Sequence, residues 1–194
     1  MQAAIAGPDP DLWLFIAIAA GTSMRHGEIL CARWEHLDLV NRRLFIPKAK
    51  AGAREQPITA SLADTLARER EMRANKDGWL FPSRYKNSNL GHRESIDHQF
   101  RAAVIRAGLD PKIITPHVLR HTAITQLVQA NVDLPTIQRI SGHRTIKMVL
   151  RYTHAHAQHI DQAINSLDKA APGPGANTIT QELHTPPRRR TENA

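Results

Sequence analysis

The 194-residue sequence has a single cysteine, Cys31, so it can form neither an intrachain disulfide nor a multi-cysteine zinc cluster. This excludes a disulfide-built secreted module and fits a reducing compartment. The sequence also lacks a long hydrophobic run. Its longest, Leu12 to Ala20, falls far short of the ~20 residues that cross a bilayer. Asp9 and Asp11 precede that run where a signal peptide would carry basic residues, so a soluble, intracellular protein is expected. Acidic side chains are the third shortage: 18 Asp plus Glu against 26 Lys plus Arg leave a net charge of +8 with His neutral. A surplus of this sign favours a polyanionic partner, although charge alone does not identify it. No internal repeat is visible.

What is present is enough chain for one domain and a tail, able to bury roughly 70% of its unfolded surface without staples. Trp13, Ile16, Ala17 and Ala20 fall at helical spacing and predict a helix with that face buried, interrupted at Gly21-Thr22-Ser23. A second helix is expected from about Arg25 to Trp34. Between Arg43 and Thr59 the period changes to that of a β-hairpin, with Pro47 and Pro57 at edge positions and Lys48, Lys50 and Arg54 near the tip. The stretch Arg54-Glu55-Gln56-Pro57 is more polar than such strands usually are. Ser61 with Asp64 reads as a capping box for a helix to about Ala74, and 76–93 as a loop around Trp79-Leu80-Phe81. Ile96, Phe100, Ala103 and Val104 predict a helix closed by Gly108, and Thr115-Pro116 opens one that runs to about Ala130. Short helices are expected after Pro135 and from Thr145, with a break at Ser141-Gly142 and a last helix over 157–169. From 171 to 194, Pro, Gly and a run of arginines without apolar periodicity predict a flexible basic tail.

His117 and Arg120 lie three apart near a helix N-terminus, where backbone N–H groups and the helix dipole favour an anion. Taken alone, such a pair more often covers a solvated face. Tyr152, nine residues after His143, is a possible covalent nucleophile that would need a positive pocket, and alone it is an ordinary packed tyrosine.

The combination is more specific. Arg25 within Gly21-Thr22-Ser23-Met24-Arg25-His26-Gly27-Glu28, then Lys50, His117-x-x-Arg120, Gly142-His143 and Tyr152 occur in an order and spacing that resembles the catalytic domain of the tyrosine recombinases, the phage-integrase family. The resemblance spans about Asp9 to Asp168. It implies an α+β, mainly helical catalytic domain over 1–170, with a small antiparallel sheet at one edge; full-length relatives usually add an N-terminal DNA-clamping domain, and the expectation here is a departure from that pattern, with no such domain before residue 11. It implies that Arg25 and Arg120 clamp the scissile phosphate and that Lys50 protonates the departing 5′-oxygen. His117 would assist removal of the tyrosine proton, His143 would hydrogen-bond a phosphate oxygen, and Tyr152 would attack phosphorus. Lys48 competes with Lys50; Lys50-Ala51-Gly52-Ala53-Arg54 matches the family's hairpin better. Glu28 would orient Arg25. No metal, nucleotide or other cofactor is implied. The implied partner is double-stranded DNA, with self-assembly into a tetrameric synapse, in a bacterial cytoplasm where the bound protein associates with the nucleoid.

Other readings use the same residues. Leu134 to Tyr152 imitates a helix-turn-helix DNA reader. His154, His156 and His159 would be metal ligands in a third reading, without a cysteine or acidic cluster to support them. A type IB topoisomerase-like enzyme would share the tyrosine chemistry but rejoin the same strand. Ile160, Ile164 and Leu167 would present an apolar helix face to a neighbouring protomer or to their own domain.

Overall fold

Eleven residues, Leu12–Thr22, form a helix with scarcely a polar side chain on it, and the chain folds around them. In the computed structural model, which describes residues 1–49, 52–73, 77–85, 88–153 and 164, this helix is α2, preceded by a short α1 (Gln2–Ile5). The chain divides into two compact units, Met1–His154 and Ala155–Ala194. Of the second, only Ile164 is described, and it is helical. The expected last helix, the tail, His154, His156 and His159 otherwise lie outside the described residues.

The buried side chains of α2 are Leu12, Leu14, Phe15, Ile18, Ala19 and Thr22. The expected stripe is therefore the wrong one: Trp13, Ile16 and Ala17 are half-buried and Ala20 is exposed. Because the helix is apolar all round, its sequence favours no face, and the neighbours choose it. The helix also continues through Gly21 and Thr22 and stops at Ser23, which takes a left-handed conformation at φ 56°. It packs most extensively against α6.

The second helix is shorter than expected, α3 (His26–Leu30), followed by a single 3₁₀ turn at Trp34–His36. The hairpin is part of a three-stranded antiparallel sheet of β1 (Leu37–Asp38), β2 (Arg43–Ile46) and β3 (Arg54–Pro57), in that order. Pro57 ends the edge strand opposite Arg43, where its missing N–H costs nothing. Arg54 stands near the hairpin tip, as expected, but not as a surface cation. It opens β3 opposite Ile46, with its side chain turned inward.

α4 (Ala60–Met72) is capped by Thr59, whose Oγ1 accepts the Leu62 N–H, and not by the Ser61 and Asp64 pair. α5 (Asp97–Arg106) ends where Gly108 turns left-handed at φ 72°, as expected of a glycine C-cap. α6 (Pro116–Gln129) begins with Thr115 and Pro116. α7 (Leu134–Ser141) is capped by Asp133, and α8 (Ile146–Leu150) follows the turn at Gly142.

Two hydrophobic clusters result. The larger joins α2, α3, the sheet, α4 and α5 around Phe15, Trp34 and Phe81. The smaller consists of Ile124, Val128, Ile137 and Val149, with Tyr152 packed against it. Full burial of each such side chain contributes about 1.5–3 kcal/mol. Among the described residues, no helix is long and apolar enough to cross a membrane.

Candidate active site

The two clusters meet along α6, and the chemistry-bearing residues collect at that seam. Pro116 starts α6 with its φ already helical, which places His117 and Arg120 in the first turns and on one side. Arg120 is only 3% exposed. Its Nη1 donates to the carbonyl of Ser23 at 2.7 Å, taking up a carbonyl left free by the end of α2. Its Nη2 lies 3.0 Å from His143 Nε2.

That contact fixes the state of His143. Ser141 Oγ donates to the Ile137 carbonyl at 2.7 Å and so accepts from His143 Nδ1 at 2.8 Å. The remaining Nε2 carries the lone pair that receives the Arg120 N–H. Burial above all, then the charges of Arg120 and Arg25, push the His143 pKa down to about 4, so the imidazole is neutral at physiological pH. The resemblance implies a phosphate contact for this ring, and its Nε2 meets the Arg120 guanidinium.

Arg25 precedes α3. Its Nη1 donates to Glu28 Oε1 and its Nη2 to the Gly142 carbonyl, both at 3.0 Å. Glu28 in turn accepts the Arg25 backbone N–H at 3.2 Å, so one carboxylate caps the helix and orients the arginine. Gly142 stands at φ 65°, and a Cβ there would lie 2.7 Å from Arg54 Nε. The glycine therefore serves a left-handed turn and the close approach of a guanidinium.

Tyr152 follows α8 and closes its last turn through its N–H to Val149 O at 2.9 Å. Its ring centroid is 5.3 Å from that of His121 and 6.2 Å from that of His143. His121 stacks edge-on against His117 at 4.5 Å. Together Arg25, His117, Arg120, His121, His143, Met148, Arg151 and Tyr152 line a hollow of about 310 Å³. Burial raises the Tyr152 pKa, opposed by the charges of Arg120 and Arg151, so the free phenol holds its proton. Burial first, then His121 and the nearby arginines, lowers that of His117, leaving a neutral ring able to accept one. Arg120 drops to about 10, mainly through burial, and remains charged at neutral pH.

Five of the six expected site residues thus face one hollow. The sixth, Lys50, lies outside the described residues. Lys48 lines a different hollow, between α3 and the sheet, beside Cys31. Three participants were missed in the sequence. His121 stands one turn beyond His117 in the same motif, a spacing that could have signalled it. Ser141 directly precedes Gly142 but looks like a simple helix end. Arg54 was expected near the hairpin tip, where nothing in the sequence signals an inward side chain. The hollow gathers more guanidinium than carboxylate, an arrangement that holds an oxyanion next to a phenol. Among the described residues, no group of three His, Cys, Asp or Glu is placed to hold a metal ion.

Comparison with known proteins bears on the family and the fold. The chain is 32% identical over 162 residues to the shufflon-specific DNA recombinase of Escherichia coli, a match covering 81% of this chain and 37% of that relative. The catalytic domain of bacteriophage HP1 integrase superposes with a TM-score of 0.63 at 26% identity, over 88% of this chain and 92% of that one. The XerH site-specific recombinase, solved on a palindromic difH substrate after cleavage, gives a TM-score of 0.60 at 25% identity, over 87% of this chain and 48% of that one. The chain thus spans well under half of its curated relative and nearly all of a catalytic domain. The family model for phage integrases matches residues 8–159, and the chain belongs to the phage integrase family.

Proposed function

We propose that this chain cleaves and rejoins double-stranded DNA at specific sites through a 3′-phosphotyrosyl intermediate. The observation that carries the reading is the convergence of Arg25, Arg120, His143 and Tyr152 on one hollow from four separate segments of chain. The guanidinium groups of Arg25 and Arg120 hold the nonbridging oxygens of the scissile phosphate and stabilise the charge that builds up during attack. Phosphate entry draws the Arg120 Nη2 away from His143, and the freed Nε2, protonated beside the phosphate's negative charge, donates to a phosphate oxygen.

Tyr152 Oη forms the new bond to phosphorus as the bond from phosphorus to the 5′-oxygen breaks. The phenol proton passes to neutral His117, and the leaving 5′-oxygen takes a proton from Lys50, the role the family resemblance implies for it. A 5′-hydroxyl from a partner strand reverses the steps, so the bond energy is kept in the protein–DNA link. Exchange between duplexes calls for more than one protomer, and a tetrameric synapse on bacterial DNA is the assembly this chemistry would use. The names of the shufflon recombinase and of XerH on its difH substrate support the same class of reaction.

The test is covalent capture. The 194-residue chain is incubated at low salt with a pool of nicked duplexes of randomised sequence, and DNA that stays attached under denaturing conditions is amplified and sequenced. The expected result is adduct formation by the wild type on a recurrent sequence and none by Tyr152→Phe. No adduct with the wild type, or adduct with Tyr152→Phe, overturns the reading.

A further inference from the structure

We infer that Arg54, the first residue of β3, is a positioning residue for the phosphate site: its guanidinium ties Glu28, and through it Arg25, to the turn that carries His143. The inference rests on the cleavage reading above and adds a residue to its machinery. Arg54 is the second residue after Gly52 in the hairpin, where a surface cation is the ordinary expectation, yet its side chain is only 13% exposed. Its Nη2 donates to Glu28 Oε2 at 2.9 Å, and its Nη1 to the Ile140 carbonyl at 3.3 Å and to Gln56 Oε1. Gln56, wholly buried, passes the contact on through Nε2 to the Thr22 carbonyl at 3.0 Å, next to the Ser23 carbonyl that holds Arg120.

One side chain is therefore bonded to α3, to its own strand and to the end of α7. The effect on Arg25 follows from how Glu28 is shared. Glu28 gives one oxygen to Arg25 Nη1 and the other to Arg54 and the Arg25 backbone. A carboxylate released from Arg54 would turn to its preferred side-by-side pairing with Arg25, drawing both terminal nitrogens of that arginine away from the hollow. The second hold on Arg25, the Gly142 carbonyl, belongs to the turn that Arg54 braces at Ile140 and packs against at Gly142. A buried ion pair is seldom retained for stability alone, since apolar replacements often serve as well. Here the guanidinium holds three elements in register around a site where a misplacement of an ångström is costly.

The test uses the duplex selected by covalent capture, made with either an ordinary scissile phosphate or a methylphosphonate, in which a methyl group replaces one nonbridging oxygen and removes the charge. On the ordinary duplex, Arg54→Ala should slow single-turnover cleavage roughly ten- to a hundredfold. Its noncovalent affinity should stay within about twofold of wild type, and Arg54→Lys should fall between the two. On the methylphosphonate duplex, where the charge of Arg25 has nothing to neutralise, the slowing should shrink to below about threefold. Equal slowing on both duplexes, loss of affinity in step with rate, or an unchanged rate on the ordinary duplex would overturn the inference. Thermal melting reports folding, and if Arg54→Ala does not fold, Arg54→Lys is carried through both duplexes. A wild type that forms no adduct would defeat the cleavage reading itself, a result distinguishable from all of these.

Discussion

Arg25 stands before α3, whose Ile29 and Leu30 are sealed into the cluster shared by α2, the sheet, α4 and α5, whereas Tyr152 follows five-residue α8, held by Val149 in a cluster of four buried side chains. The two residues face the same hollow from supports of very different size. The larger core fixes the charged wall: Arg25, Glu28, Arg54 and Arg120 are tied to one another or to the carbonyls at the end of α2. The smaller one carries the phenol, whose hydroxyl has no hydrogen-bond partner among the described residues. Electrostatic stabilisation gains from rigid, preorganised donors. A nucleophile that must move onto phosphorus and remain bonded to DNA gains from a lightly held support, because segments with few buried contacts open most easily.

The sharpest way to break this comparison is at the two ends of the proposed bond. Tyr152→Phe should abolish the covalent adduct while leaving stability within about 0.5 kcal/mol, as read by denaturant unfolding, because only a solvent-reaching hydroxyl is lost. Next come the two cores. Phe15, wholly buried and 6.1 Å from Phe81 edge-on, should cost about 3–5 kcal/mol as Phe15→Ala and reduce cleavage only through loss of folded protein. Val149→Ala should cost less, about 1–3 kcal/mol, but slow cleavage by the remaining folded protein roughly tenfold or more. If the folded fraction of Val149→Ala cleaves at the wild-type rate, the smaller cluster does not position the tyrosine.

Gly142→Ala joins the two supports. It forces a side chain into a left-handed conformation and against Arg54, at an expected cost of about 1–2 kcal/mol together with slower cleavage. The remaining effect is that of pH. His143 is held neutral in the folded protein down to about 4, while in the unfolded chain it titrates near 6.5. Its contribution is fully present above about 6.5 and is lost as pH falls from there toward 4, since only the unfolded state binds the proton in that window. His117, lowered in the same direction, adds to the loss. Unfolding free energy measured from pH 7 to 4 should fall less steeply in His143→Gln than in the wild type, and an equal slope would show that the neutral imidazole is not held as described.

Much of the fold could be read in the chain, and the failures have physical causes. α6 was legible because Thr115 and Pro116 are local signals that act through their own backbone. Gly108 ended α5 for the same reason. The buried face of α2 was not legible, because an apolar residue on every side gives no preference until α6 and the sheet arrive. β3 was expected as a strand, but the inward course of the Arg54 side chain was not legible, because Arg54-Glu55-Gln56-Pro57 has no apolar alternation. Its inward residues are polar, facing Glu28 and the Thr22 carbonyl. Ser141 escaped notice because its use depends on the ring of His143 turning back over α7.

By itself the sequence determined the chemistry on offer: an excess of guanidinium, a short series of histidines and a tyrosine at spacings that resemble the phage integrases. Those are properties of residue types and intervals along the chain. Only the tertiary structure decided which of these groups meet, which state they adopt and which unremarked side chains hold them. Protonation and orientation depend on burial and on partners that include residues far away in the chain, Arg120 for His143 and Gly142 for Arg25. His143 is neutral because Arg120 and Ser141 enclose it, and Arg25 points into the hollow because Glu28 and Gly142 hold it there.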